Sequence, residues 1–293
     1  MNIPPIAART VAVGLAFALS QAGPAQARDA LPLGDGRIAK SPRIGHVFSC
    51  QQRFNANAPG AQKAGDWIAG DRWFPSRKPT VGGAVSWASA RVEIHRDGEW
   101  RVVSANNLPT HKTGKFPISR NDDAYRYDRN PNPIKAQKVL LRLPVEPELA
   151  GQPSCVPMGM IGVAVTGAAI YNALDARGKD APAHEIQDAC AGHPERSGQY
   201  HYHDLSDCLP DKRAQPGGHS DILGYALDGF AIFGRYGESG RVVTNADLDT
   251  CHGHAHAAEW DGEKREIYHY HFTAEYPYTI GCFRGKPVVA GQR

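Results

Sequence analysis

The tetrapeptide Tyr-His-Tyr-His occurs twice in this chain, at residues 200–203 and 268–271, and each copy sits inside a longer pattern. Asp188-Ala189-Cys190-Ala191-Gly192-His193 precedes the first copy and Asp249-Thr250-Cys251-His252-Gly253-His254 the second. Both read D-x-C-x-G-H, and Cys208 or Cys282 follows. Nine positions therefore match in the same order at unequal spacing, which makes chance a poor explanation and marks a repeated constellation, not a solenoid period. Any fold for this chain must build the same local unit twice, and the two units are expected to be related by a pseudo-two-fold.

The alternation carries chemistry. In a strand, residues two apart share a face, so His201 and His203 point one way while Tyr200 and Tyr202 point the other. The same holds for His269 and His271 against Tyr268 and Tyr270. Imidazoles about 7 Å apart at Cβ reach one metal ion or line one cleft, while the tyrosines pack into a core and use their hydroxyls on a partner. His193 and His254 bring each unit to three histidines, the set found in open catalytic zinc sites. Ten of the thirteen histidines lie between His184 and His271, and such crowding is costly unless something binds the rings.

Imidazole-rich sites suit Zn(II) or Cu(II). Glu185, Asp188, Asp228 and Asp249 are candidate further ligands or acceptors that hold a ring in one tautomer. His219 joins the candidates from its glycine-rich loop. His252 and His256 flank His254 in "CHGHAHA" and read equally as ligands or as a flexible histidine-rich loop. His46, His95 and His111 read as structural.

The first thirty residues carry a single charge at Arg9 before an apolar run, then Ala25-Gln26-Ala27. That is the layout of a signal peptide cleaved near Ala27, and the expected location is periplasmic or secreted. No later run is long and apolar enough to span a membrane. A formal charge of +3 with scattered Lys and Arg leaves no footprint for nucleic acid. Six cysteines in an exported chain favour disulfides. Sequence neighbours suggest Cys190 with Cys208 and Cys251 with Cys282, leaving Cys50 for Cys155; no C-x-x-C spacing supports thiolate metal ligands.

Residues 1–27 are read as the signal peptide, 28–80 as an N-terminal extension packing on the domain, 81–285 as the β-rich domain, and 286–293 as a tail. "DWIAGDRWF" is an expected aromatic anchor. Alternation around Asp97-Gly98 predicts a hairpin, "KVLLRLP" a strand, and "MGMIGVAVTGAAIYN" one buried strand. Between them, residues 107–133 predict a long ordered loop. "DAPAHEIQDAC" predicts a short helix with Glu185 in its first turn. "ILGYALDGFAIFGRYG" predicts two strands turned at Asp228-Gly229, and "REIYHYHFT" and "YTIGCFRG" complete the β content. The fold class expected is mainly β, sandwich- or barrel-like, with long loops and one or two short helices, stabilised by disulfides.

With "NLPTHKTGKFP", "GVAVTGAAIYNALDARGKDAPAHEIQDACAGHPERSGQYHYH", "HSDILGYALDGFAIFG", "DLDTCHGH", "YHYH" and "YPYTIGCFRG" in order, the chain resembles the YHYH-domain family of exported proteins. The resemblance implies an extracytoplasmic β-rich domain and no particular reaction. The family pattern leads us to expect an acidic residue before the second cysteine, where this chain has Thr250; Asp247 and Asp249 remain nearby.

The leading expectation is a binder of Zn or Cu centred on His201, His203, His269 and His271, with His193, His254 and His219 next. The alternatives are a metal-dependent hydrolase or oxidoreductase on the same cluster, with Asp228 or Glu185 as general base, and a secreted interaction or structural module. The substrate and the number of metal sites stay open.

Overall fold

The computed structural model describes Met1 and residues 30–61, 63–211 and 218–289. The expected cleavable segment lies outside these residues apart from Met1. Five two-residue strands, β1 (Leu31–Pro32), β2 (Ile38–Ala39), β3 (Val47–Phe48), β4 (Ile68–Ala69) and β5 (Arg72–Trp73), tie the N-terminal part together. Trp67 and Trp73 bury their rings in the same apolar cluster as the rest of the chain, and the Trp67 indole N–H donates to the Ala183 carbonyl at 2.8 Å.

The alternating stretch around Asp97-Gly98 folds as the expected hairpin, β6 (Val92–Asp97) and β7 (Trp100–Ala105), and β8 (Val139–Pro144) extends it to a three-stranded antiparallel sheet. Val103, Leu141 and Leu143 turn into the common core. The connection between β7 and β8 contains one 3₁₀ turn, Asp123–Arg126, and is pinned by buried Leu108, Ile118 and Ile134.

The apolar stretch read as one strand is two. β9 (Met160–Ala164) and β10 (Ala169–Tyr171) pair antiparallel across a turn with Gly167 at φ +85. Both are largely buried and only Thr166-Gly167 marks the turn, which is how a nearly unbroken apolar run conceals a hairpin. Helix α1 (Ala181–His184) is a single turn, so Glu185 follows it as C-cap instead of lying within it. Next come β11 (Gly192–Pro194), β12 (Tyr200–Tyr202), β13 (Ile222–Ala226), β14 (Ala231–Phe233), β15 (Gly253–Trp260) and β16 (Glu263–His271). "CHGHAHA" is thus largely strand, since β15 pairs with β16 over eight positions. "YTIGCFRG" makes only an isolated bridge, Phe283 to Ser154; its apolar residues serve burial, with Tyr278, Ile280, Cys282 and Phe283 all at most 1% exposed.

The eight later strands form one sheet in the order β11-β12-β10-β9-β13-β14-β16-β15. The order reads the same from either edge: an antiparallel hairpin (β9-β10 or β13-β14), a parallel neighbour (β12 or β16), and an antiparallel edge strand (β11 or β15). The halves meet where Gly224, Tyr225 and Ala226 face Ala164, Val163 and Gly162. This register exposes a longer repeat than the Tyr-His-Tyr-His pattern alone, because residues 160–171 align without gaps on 222–233, sharing Gly162/Gly224, Ala164/Ala226, Gly167/Gly229, Ala169/Ala231 and Ile170/Ile232. The axis passes through the Val163–Tyr225 pair, perpendicular to the sheet, because directly opposed residues of an antiparallel pair share a face. Equivalent side chains of the two halves therefore leave the sheet on the same side. Glycine is needed at the seam: a Cβ on Gly162 would lie 2.8 Å from the Tyr225 carbonyl, and one on Gly224 2.8 Å from that of Val163.

Three disulfides, Cys50–Cys155, Cys190–Cys208 and Cys251–Cys282, join the pairs that the spacing suggested.

Candidate metal centres

The D-x-C-x-G-H pattern builds a carboxylate brace beneath each Tyr-His-Tyr-His strand. Asp188 accepts from the amides of Cys190 (2.9 Å) and Gly192 (3.2 Å), and Asp249 from those of Cys251 (2.8 Å) and Gly253 (3.2 Å). The intervening Ala191 and His252 take positive φ to close the turn. The first tyrosine of each strand then donates to the brace, Tyr200 to Asp188 at 3.0 Å and Tyr268 to Asp249 at 3.1 Å. The glycine admits that ring, for a Cβ on Gly192 or Gly253 would lie 2.2 or 2.6 Å from its Cζ. The second tyrosine hydroxyl meets the hairpin turn, at Thr166 Oγ1 (3.1 Å) for Tyr202 and at Asp228 (2.6 Å) for Tyr270.

This geometry removes three carboxylates from the list of candidates beside the metal. Asp188 and Asp249 brace the tyrosines. Asp228, considered as a general base, accepts from Tyr270 and from the amides of Arg284 and Gly285 on the tyrosine side of the strand. Of these four carboxylates, Glu185 alone comes to the histidines; at the second centre Glu238 Oε1 stands 3.7 Å from His256 Nδ1.

On the other face, each histidine of the two strands offers Nδ1 to a backbone carbonyl: His201 to Gln199 (3.0 Å), His203 to Asn172 (2.5 Å), His269 to Ile267 (3.0 Å) and His271 to Gly234 (2.6 Å). A carbonyl only accepts, so Nδ1 carries the proton and Nε2 presents a lone pair. Fixing the tautomer through Nδ1 is how proteins prepare an imidazole for a metal ion.

The two strands do not share one centre. Five strand steps separate β12 from β16, about 24 Å along the sheet at ~4.8 Å per step. The first centre gathers His193, His201 and His203, whose ligand atoms lie within 4.8 Å of one another. His201 Nε2 and His203 Nε2 face each other at 3.0 Å, and with both lone pairs directed inward the pair could hold a cation beside them. Neither His193 nitrogen has a hydrogen-bond partner. Glu185 Oε2 stands 3.4 Å from His193 Nε2 and 3.5 Å from His203 Nε2. Tyr171 stacks on the His201 ring at 3.9 Å. The three rings and Glu185 line a cavity of about 600 Å³.

The second centre is richer. Ligand atoms of His219, His256, His269 and His271 lie within 4.8 Å of one another, and the His254 ring sits 4.5–4.9 Å from those of His256, His269 and His271. His219 and His256 also offer Nδ1 to carbonyls, at Ser220 (2.8 Å) and Ala257 (3.2 Å). Nε2 of all five rings is buried without a hydrogen-bond partner, where each unsatisfied atom costs about 1–3 kcal/mol.

Burial favours the neutral form of His193, His201, His203, His219, His254, His269 and His271. It pushes His193, His201 and His271 well below the ordinary imidazole range, His203 and His254 down to about 4, and His269 to about 2, neighbouring histidines adding to the shift in most cases. Burial also raises the Glu185 carboxyl well above its usual range, with Asp175 and Asp128 adding to it.

All seven histidines singled out in the sequence fall in one centre or the other. His256, which the sequence alone reads equally as a ligand or as part of a flexible loop, joins the second centre; His254 and His256 repeat the H-x-H spacing that places both on one face. His252 stands apart, with Nε2 on Thr273 Oγ1 at 3.0 Å. His111 lies near Cys190 and Cys208, but those sulfurs are joined to each other, and the ring meets the Tyr202 hydroxyl at 2.5 Å.

Residues 140–242 match the family model described as YHYH protein. The match takes in the first unit and ends before the second, a narrower span than the motifs that carry the resemblance. No curated protein and no solved structure matches the chain.

Proposed function

We propose, from the match of residues 140–242 to the YHYH protein family model and from the histidine clusters, that the chain is an exported protein binding transition-metal ions, Zn(II) or Cu(II), one at each Tyr-His-Tyr-His strand. The observation that carries this reading is the set of five buried Nε2 atoms without partners at the second centre, four of them on rings whose Nδ1 already faces a backbone carbonyl. Buried lone pairs need a partner, and five imidazole nitrogens converging without a donor among them favour a cation in that role. Imidazole donors suit Zn(II) and Cu(II), and the cysteines, all in disulfides, offer no thiolate for Cu(I). Three disulfides favour an oxidising compartment, consistent with a mature chain beginning near Arg28. Among the described residues no helix is long and apolar enough to cross a membrane.

Elemental mass spectrometry of protein exported through its own N-terminal segment and grown with ample metal tests the reading. Two equivalents of metal are expected in the parent, and one in each of the variants His201→Ala/His203→Ala and His269→Ala/His271→Ala when circular dichroism shows them folded. A negligible load in the parent would overturn it.

A further inference from the structure

We propose that the two centres are unequal: the ion at His193, His201 and His203 keeps a coordination position open to the cavity and takes a small organic anion there, while the ion at the second centre is enclosed by imidazoles. The inference rests on the metal-binding reading above.

The asymmetry lies outside the repeated pattern. His256, two residues beyond His254, has Glu195 as its counterpart two beyond His193, and Glu195 turns to the amides of Ser197 and Gln199. His219, three residues before β13, is matched by Pro157 three before β9. The first centre thus has three imidazoles and the Glu185 carboxylate where the second has five imidazoles. Its donors also line a cavity whose volume falls within the roughly 300–1,000 Å³ of small-molecule sites. Three nitrogens and one oxygen leave the cavity side for a further ligand on an ion that takes five or six donors, as Cu(II) and Co(II) do, or on a four-coordinate ion from which Glu185 stands back.

The charge of the ligand follows from the donor set. A divalent ion held by three neutral imidazoles and one carboxylate retains a net positive charge on a buried floor, where a low dielectric magnifies the attraction for an anion. Pro59, Met158, Leu174 and Pro194 supply apolar walls and Tyr171 a flat ring above His201, so an organic body attached to a carboxylate or phenolate oxygen fits better than a hydrated inorganic ion.

Cobalt(II) serves as the probe ion, because its visible spectrum reports its ligands, with acetate and benzoate as probe anions. In protein loaded with two equivalents, either anion is expected to shift the spectrum with saturation, benzoate binding at least tenfold tighter. His269→Ala/His271→Ala should keep the shift and His201→Ala/His203→Ala lose it. Ala176→Trp, at an exposed position on the cavity rim, should keep the cobalt load and weaken benzoate at least tenfold. A loaded parent whose spectrum neither anion moves, or a shift that survives in His201→Ala/His203→Ala, would overturn the proposal while leaving metal binding intact. Failure to take up cobalt would overturn both.

Discussion

A histidine whose Nδ1 faces a carbonyl has its second nitrogen committed, and here that commitment is made by residues far away in sequence. The sequence shows that His203 and His271 share a face with His201 and His269. It does not show that Asn172 and Gly234, one strand over, supply the carbonyls that fix their tautomers, because a backbone carbonyl leaves no mark in residue identity. Titration is similarly decided by placement. Asp35 is half-buried, which alone would raise its carboxyl, but His184, the Asp180 amide and Lys179 outweigh burial and hold it below the ordinary carboxylate range. The unfolded chain protonates Asp35 near 3.8 and the folded chain only at lower pH, so its contribution is full above that value and fades as pH falls below it. Asp35→Asn is expected to lower the urea midpoint at pH 6 and to converge on the parent toward pH 2.5; a gap that stays constant across this range would contradict the linkage.

Among the elements, those with a period were legible and those without were not. The hairpin at Asp97-Gly98 and the alternating strands β12 and β16 follow from a two-residue repeat. The β9-β10 hairpin, buried on both faces, has no alternation to read, and "YTIGCFRG" has strand-like composition for reasons of burial alone. The brace under each histidine strand was visible as a pattern but not as a mechanism: the glycine in D-x-C-x-G-H exists to admit a tyrosine ring eight or fifteen residues later. Gly192→Ala and Gly253→Ala should each destabilise by about 1–3 kcal/mol through overpacking, read as a lower urea midpoint at pH 7.5. An unchanged midpoint in either would show that the ring is not confined as described.

For the whole molecule, cross-links and sheet set the scale. Cys50–Cys155 spans 105 residues and ties the N-terminal segment to the connection between β8 and β9, while Cys190–Cys208 spans 18. If a disulfide acts mainly on the unfolded chain, loop closure makes the first worth about 4.8 kcal/mol and the second about 3.2. Cys50→Ser/Cys155→Ser should therefore lower the non-reducing unfolding free energy by more than Cys190→Ser/Cys208→Ser does, and the reverse order would point to strain or residual structure instead. The two halves are joined by a backbone ladder between β9 and β13, not by a linker, so neither can swing against the other. A chain ending after β12 would present on β9 a bare edge shaped for its own duplicate, and two such fragments have the register in hand to rebuild the eight-stranded sheet as a homodimer.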